Sequence, residues 1–311
     1  MERKKTCYII DGNHLAFRAH CTLHLSDSKG RNTSTIYGVS EMLGGLVREY
    51  LPDALVICWD YGKSQNRKNI LPTYKSSRVP KTEEERKGKE EFYVQLDDVK
   101  RIVRGFGIPQ VQIQGYEGDE LIYTVAKMSQ KIGYISGIVT SDKDMLQLVD
   151  SDTFWLEPIQ KRIVTPENFR EVLGIAREDF LLYKCLIGDA GDDIPGIRGV
   201  GEVTAKKMLQ KYHSIDDLVS NNEEDRRARL IRGQREILER NMKLVDLQQF
   251  ISPEILIEVR NSIKEVHPVD CFKLKEIFTD YEFKSLLNEL PELETLYTDL
   301  WNKNQAFLEN L

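Results

Sequence analysis

The chain has 311 residues, 41% hydrophobic and 30% charged, enough to bury a core in one large or two modest domains and too apolar for general disorder. Lys plus Arg number 44 against 50 Asp plus Glu, a net charge of −6, so a nucleic-acid partner would have to be held by local basic patches. The apolar runs are too short for a membrane span, and the opening MERKKTCYIIDGN reads as a strand, not a signal peptide.

Thr6 to Ile10 is a β-rich run ending at Asp11-Gly12-Asn13, and Ser34 to Tyr50 has helical apolar spacing. Ala54 to Trp59 is the next strand and ends at Asp60. Tyr61 to Glu91 breaks the pattern. It is long and polar, and between Lys63 and Lys89 nine basic residues stand against Glu83, Glu84 and Glu85. Inserts of that length are usually functional. Gln95 to Phe106 reads as a helix, Gln110 to Gln114 as a weak strand, and Asp119 to Ile132 as a helix. Ile135 to Val139 is a strand ending at Thr140-Ser141-Asp142. This alternation predicts an α/β fold with a mainly parallel central sheet flanked by helices, and ligands at the carboxyl ends of its strands.

After Pro166 the strand signals fade. Glu178 to Leu311 reads as mostly helical, interrupted at the Gly-rich stretch 188–201, the polar run 220–229 and Pro253. Asn221 to Asp225 looks like a solvated loop. We expect an α/β unit over residues 1–178, with its basic insert at about 61–91, and a helical unit over 179–311 packed on it, because no flexible linker separates them. The five cysteines are scattered and form no CxxC pair, which fits a reducing, cytoplasmic setting.

Five acidic clusters follow the strand ends or open helices: Asp11; Asp60; Glu117, Asp119 and Glu120; Asp142 and Asp144; and Asp189, Asp192 and Asp193. A lone acid in such a place is often a helix N-cap or part of a solvated loop. Five clusters converging on one sheet edge are harder to dismiss, because each ionised neighbour disfavours the next. Hard divalent cations relieve that repulsion, and an all-oxygen donor set favours Mg²⁺ or Mn²⁺ over Zn²⁺. Two such ions are a common device for phosphodiester hydrolysis, one lowering the pKa of the attacking water and both neutralising charge on the phosphate.

Two further segments suit nucleic acid. In Tyr74-Lys75-Ser76-Ser77-Arg78, Lys75 and Arg78 suit phosphates and Tyr74 suits stacking on a base, against the plainer reading of a solvated charged face. In residues 194–209, Gly199 and Gly201 permit a tight turn before a helix, whose amides together with Lys206 or Lys207 suit a phosphate. His14 and His20 read as local hydrogen-bonding residues and Trp59 as part of the sheet core.

These segments, IIDGN at 9–13, ICWD at 57–60, YKSSR at 74–78, GYEGDE at 115–120, VTSDKDMLQLV at 139–149 and LIGDAGDDIPGIRGVGEVTAKKML at 186–209, with EFKSLL at 282–287, resemble the structure-specific 5' nuclease family of flap endonucleases and 5'-3' exonucleases. With no polymerase domain, the chain looks like a stand-alone, bacteriophage-type member, which implies the host cytoplasm. The resemblance implies a PIN-like fold in which the basic insert forms a helical arch and the glycine hairpin a helix-three-turn-helix that grips duplex DNA and holds K⁺. It implies two Mg²⁺ ions, the first on Asp11, Asp60, Glu117 and Asp119, the second on Glu120, Asp142, Asp144, Asp189 and Asp192. Glu120 stands where the family motif commonly ends in Asp, and Asp193 ranks below Asp192. Lys75 and Arg78 match phosphate-steering positions and complete a catalytic set with Asp11, Asp60, Asp144 and Asp192.

The implied activity is cleavage of 5' flaps and 5'-3' exonuclease action on nicked or branched DNA in replication or repair, leaving 5' phosphates. The competing readings are an RNA-preferring enzyme that removes primers from RNA–DNA hybrids, and a non-catalytic junction-binding module. The chain is expected to act as a monomer, with a single-stranded-DNA-binding protein as a candidate partner and no membrane contact.

Overall fold

Apolar side chains alternate between two faces along the central strands. In β1 (Thr6–Asp11), Cys7 and Ile9 enter one hydrophobic cluster, and Tyr8 and Ile10 enter another. In β2 (Ala54–Cys58), Val56 joins the first cluster and Leu55 and Ile57 the second. Strands apolar on both faces need cover on both sides, and a three-layer structure results. A computed structural model describes residues 3–220 and 226–311; the loop expected at 221–225 lies outside the described residues. Among the described residues no helix is long and apolar enough to cross a membrane.

The sheet adds β3 (Gln110–Val111), β4 (Ile135–Val139), β5 (Thr153–Glu157) and β6 (Arg162–Val164), in the order β3-β2-β1-β4-β5-β6. The first five strands in that order run parallel and β6 returns antiparallel. The helices of the first half are α1 (Gly12–Thr22), α2 (Ser34–Tyr50), α3 (Gln65–Ile70), α4 (Glu83–Gly105) and α5 (Gly118–Lys131). The second half contains α6 (Phe169–Leu173), α7 (Phe180–Ile187), α8 (Glu202–Met208), α9 (Ile215–Ser220), α10 (Arg226–Ile231), α11 (Arg235–Val245), α12 (Pro253–Lys264), α13 (Cys271–Asp280) and α14 (Lys284–Asn310). Between α7 and α8 a small antiparallel pair forms from β7 (Gly188–Asp189) and β8 (Ile194–Pro195). Helices α5, α7, α11 and α12 cover the first face, and α1, α2, α4, α13 and α14 the second.

The main departures from expectation have local causes. The helix expected at 95–106 starts at Glu83, inside the basic insert. Its apolar stripe begins only at Phe92, while Thr82 caps the helix by accepting from the Glu85 N–H, and Glu83 to Glu85 oppose the positive end of its dipole. Helix α1 was hidden because Gly12-Asn13 reads as a turn, yet the Asp11 carboxylate caps it. Strands β5 and β6 extend the sheet by two, and Pro253 opens α12 as a first-turn residue. Strand β3 stops at Val111, and the Leu55 N–H is taken by Asn304 Oδ1 of α14 at 2.9 Å, which ties the last helix to the sheet.

The β7–β8 pair depends on two glycines packed back to back. Gly188 has φ +70°, and a Cβ there would lie 2.3 Å from the Ile194 carbonyl; at Gly196 it would lie 2.3 Å from the Ile187 carbonyl. By contrast Gly201 has open space and extended backbone. Gly188→Ala is therefore expected to lower the melting temperature by about 5 °C or more, and Gly201→Ala to change it by less than about 1 °C. Thermal unfolding of both variants checks this; equal shifts would refute it.

Candidate active site

The chain runs from β1 outward to β2 and β3, then returns to place β4 on the other side of β1. This reversal opens a crevice between the carboxyl ends of β1 and β4. Asp11 ends β1. Its Oδ1 accepts from the His14 N–H (2.9 Å), and its Oδ2 from the Thr140 hydroxyl just beyond β4 (3.1 Å). Asp60 follows β2 and accepts from the Gly118 N–H at the start of α5 (2.6 Å). Asp142 accepts from the Asp144 N–H (2.9 Å), and Asp189 from the N–H groups of Gly191 (2.8 Å) and Asp192 (3.2 Å). Backbone amides thus orient acids drawn from four separate segments.

Enclosure and mutual repulsion act on these groups together. Burial first, then the Asp60 charge, pushes the Asp11 carboxyl up to about 7. Burial and then Asp144 lift Asp142 to about 7, and burial and then Asp119 lift Glu120 to about 7. Asp60, Asp144 and Asp192 are also raised, burial again leading. Glu117 and Asp189 go the other way. Burial opposes their ionisation, but Lys75 and Arg67 outweigh it at Glu117, and Lys184 with backbone N–H groups does so at Asp189.

Side-chain cations fill the spaces between the acids. Arg67, 3% exposed, places Nη1 at 2.6 Å from Glu117 and 2.9 Å from Asp119. Lys75 Nζ lies 2.7 Å from Glu117 and 3.8 Å from Asp192, and Lys184 Nζ lies 2.6 Å from Asp144 and 2.9 Å from Asp189. Arg78 pairs with Asp192 and donates from Nε to the Gly191 carbonyl (3.0 Å). Among the described residues no trio of His, Cys, Asp and Glu stands ready as a complete coordination shell. With lysine and arginine nitrogens between them, the carboxylates are spaced for those partners.

All nine acids expected as ligands surround this crevice, but they do not present themselves equally. Glu117 is 4% exposed, and its Oε2 accepts from Arg67, the Tyr74 hydroxyl (2.8 Å) and Lys75. Glu120 is 1% exposed and accepts from the Ser64 hydroxyl (3.1 Å) and the Glu117 N–H (3.0 Å). These two face inward, onto protein donors. Asp60 and Asp142, though closely surrounded by protein, keep a surface exposed to solvent, and Asp11, Asp119, Asp144, Asp189 and Asp192 are partly exposed. Asp193 turns aside to accept from the Ser77 N–H at 2.7 Å.

Tyr74 needs correction. It was expected to stack on a base, but it is 1% exposed and its hydroxyl is committed to Glu117 and to Asp192 (3.1 Å), so its ring is not offered to nucleic acid. Of the two glycines, Gly199 has φ +83° and needs glycine, whereas Gly201 does not. Lys206, half-buried with Nζ 6.0 Å from the Tyr183 ring centre, and exposed Lys207 sit on α8; among the described residues neither bonds to the acids.

Two residues escaped notice. Arg67 was counted as one of nine basic residues in the insert, and only its place on α3, capped by Ser64, sets it apart. Lys184 carried a signal, a lone charge in the apolar FLLYKCLI five residues before Asp189.

Comparisons with known proteins bear on the family and the fold. A family model described as the 5'-3' exonuclease N-terminal resolvase-like domain matches residues 6–174, and one described as the 5'-3' exonuclease C-terminal SAM fold matches residues 175–265. The chain is 35% identical to a 5'-3' exonuclease of Aquifex aeolicus over 93% of its own length and 96% of the relative's. It is 30% identical to DNA polymerase I of Bacillus subtilis, of which it spans 33%. The T5 5'-exonuclease has a similar fold, with TM-score 0.71 at 21% identity over 90% of this chain and 99% of that one. With both domain models matched end to end, the chain belongs to the 5'-3' exonuclease family.

Proposed function

We propose that the protein is a divalent-metal-dependent, structure-specific 5' nuclease that cuts 5' flaps and degrades nicked or branched DNA from the 5' end, in replication or repair. The observation that carries this reading is the gathering of acids from the ends of β1, β2 and β4, the start of α5 and the β7–β8 hairpin at one crevice, beneath an insert that contributes Lys75 and Arg78. A solved T5 5'-exonuclease carries divalent ions, zinc in that case.

The donor set suits such ions. It is carboxylate oxygen throughout, and enclosure and like charge disfavour the ionised form of Asp11 and Asp142, which a bound cation would relieve. Asp11, Asp60 and Asp119 would hold one Mg²⁺, and Asp142, Asp144, Asp189 and Asp192 the other. Glu117 and Glu120 stand behind them and keep Lys75 and the start of α5 in place. Bound ions would supply an activated water and neutralise charge developing on the scissile phosphate. Lys75 and Arg78, at the base of the insert, would orient that phosphate. Lys206, Lys207 and the turn at Gly199 would hold duplex DNA by its backbone, without reading its sequence.

The decisive experiment compares matched 5'-flap, nicked and RNA–DNA substrates with and without Mg²⁺, with fragment ends mapped. EDTA is expected to abolish cleavage and Mg²⁺ or Mn²⁺ to restore it, with flap DNA cut near its junction to leave 5' phosphates. Full turnover in metal-free buffer would sink the proposal.

The raised carboxyl of Asp11 sets a pH-dependent expectation for the metal-free protein. A carboxyl whose pKa rises on folding, from about 4 to about 7, costs nothing below pH 4, where it is protonated in both states. Its penalty grows from pH 4 to 7 and is complete above. In chelator-treated protein Asp11→Asn should therefore raise the melting temperature at pH 8 and lose that advantage as the pH falls toward 4. A gain of equal size at pH 5 and pH 8 would contradict the assignment.

Lys75→Ala separates chemistry from binding. If Lys75 orients the phosphate, single-turnover cleavage should slow by about 100-fold, while flap affinity measured in Ca²⁺ stays within about threefold because the duplex contacts on α8 remain. An unaltered single-turnover rate would assign Lys75 to structure alone.

A further inference from the structure

A fully buried arginine among acids is costly unless something requires its charge there. Arg67 lies at the base of the insert, on α3, with its guanidinium edge turned to Glu117, Asp119 and Tyr74 and its Nε 3.8 Å from Glu120. One face of the guanidinium sits over the Phe250 ring, 4.7 Å from its centre, and among the described residues Nε has no hydrogen-bond partner. Phe250 belongs to a short 3-10 turn, Leu247–Phe250, from the second half of the chain. Arg67 therefore joins three parts of the molecule: the insert, the acidic start of α5 and the C-terminal helical region.

We propose that Arg67 is a positioning residue for phosphodiester cleavage, a fixed internal cation that takes the place of one exchangeable cation in the acid cluster and, through Glu117, holds Lys75 at the mouth of the site. This rests on the nuclease reading above. Arginine keeps its charge at all working pH values, so the neutralisation it provides cannot be lost to proton release. Its Nη1 meets Glu117 and Asp119 together while the planar guanidinium lies on the Phe250 ring, a placement that the compact ammonium of a lysine cannot reproduce. Glu117, held from one side by Arg67 and Tyr74, then presents the same oxygen to Lys75. The charge also limits cation loading. With Arg67 in place, one positive charge inside the protein offsets part of the negative charge at the start of α5.

This role makes cation affinity and catalytic rate move in opposite directions, which a purely structural role would not do. Arg67→Met keeps the length and removes the charge. Its metal-free form should bind Mn²⁺, titrated by calorimetry in the absence of DNA, at least about fivefold more tightly than the parent, or bind one ion more. Its single-turnover flap cleavage in saturating Mg²⁺ should fall by about 100-fold as Lys75 loses its place. Arg67→Lys keeps the charge and loses the planar group that lies on Phe250, so Mn²⁺ binding should stay parental while cleavage falls by about tenfold or more. Parental cleavage in Arg67→Lys, or unchanged Mn²⁺ binding in a folded Arg67→Met, would overturn the proposal. If Arg67→Met does not fold, the lysine variant decides alone. A wild-type protein without metal-dependent cleavage would defeat the nuclease reading, while the Mn²⁺ titrations would still decide whether Arg67 acts as the internal cation.

Discussion

Repulsion among carboxylates at the carboxyl edge of a parallel sheet is the constraint on which the rest of this structure depends. The switch in strand order brings Asp11 beside Thr140 and Asp142, and the loop after β2 and the first turn of α5 add Asp60 and Asp119. Burial raises their pKa values most, and the charges of their ionised neighbours raise them further. Part of that cost is offset by cations built into the fold. Arg67, Lys75, Arg78 and Lys184 each bond to at least one of these acids, and three of them come from the insert that covers the site.

The same bonds shape the insert. Its segment from Lys75 to Arg78 is latched onto the β7–β8 hairpin. The Lys75 N–H donates to the Asp192 carbonyl at 3.0 Å, Ser77 N–H to Asp193, and Arg78 to Gly191 and Asp192. Lys75 itself has φ +51°, a conformation a lysine seldom adopts without outside support. That support comes from the hairpin, and the hairpin in turn exists only because Gly188 and Gly196 allow two backbones to touch. Glycine packing distant in sequence from the insert therefore fixes where its cations stand.

Much of this was legible in the sequence, for physical reasons. Alternating apolar residues in short runs gave β1, β2 and β4 nearly to the residue, and an acid directly after an apolar strand marks the edge where a parallel sheet gathers ligands. Helix α4 was half hidden because periodicity reports packing, and its first turns pack against nothing. The inward turn of Glu117 and Glu120 was not readable either. Spacing places both at the start of α5, but only the approach of Ser64, Arg67 and Tyr74 from the insert decides which acids of that turn stay open. Tyr74 failed as a stacking residue for the same reason: its neighbours Lys75 and Arg78 suggested an exposed strip, while its hydroxyl was needed inside.

The cations of the insert face a choice that the geometry makes explicit. Lys75 and Arg78 would meet a phosphate in different ways, because each is already engaged by a carboxylate: the Lys75 ammonium has three N–H donors and can keep Glu117 while offering another, whereas at Arg78 a phosphate competes with Asp192. Competition by an anion against an anion is settled by what else neutralises the acids. Asp192 also accepts from the Tyr74 hydroxyl and sits beside Asp189, whose own charge Lys184 balances. Additional positive charge at the crevice weakens the hold of Asp192 on Arg78, which is 54% exposed and the freer of the two. Lys75, at 14%, stays with Glu117 because Arg67 keeps that carboxylate in place. The two basic residues of one short segment are thus unequal: one is anchored to the interior network, and the other, held by Asp192 and the Gly191 carbonyl, is the more exposed.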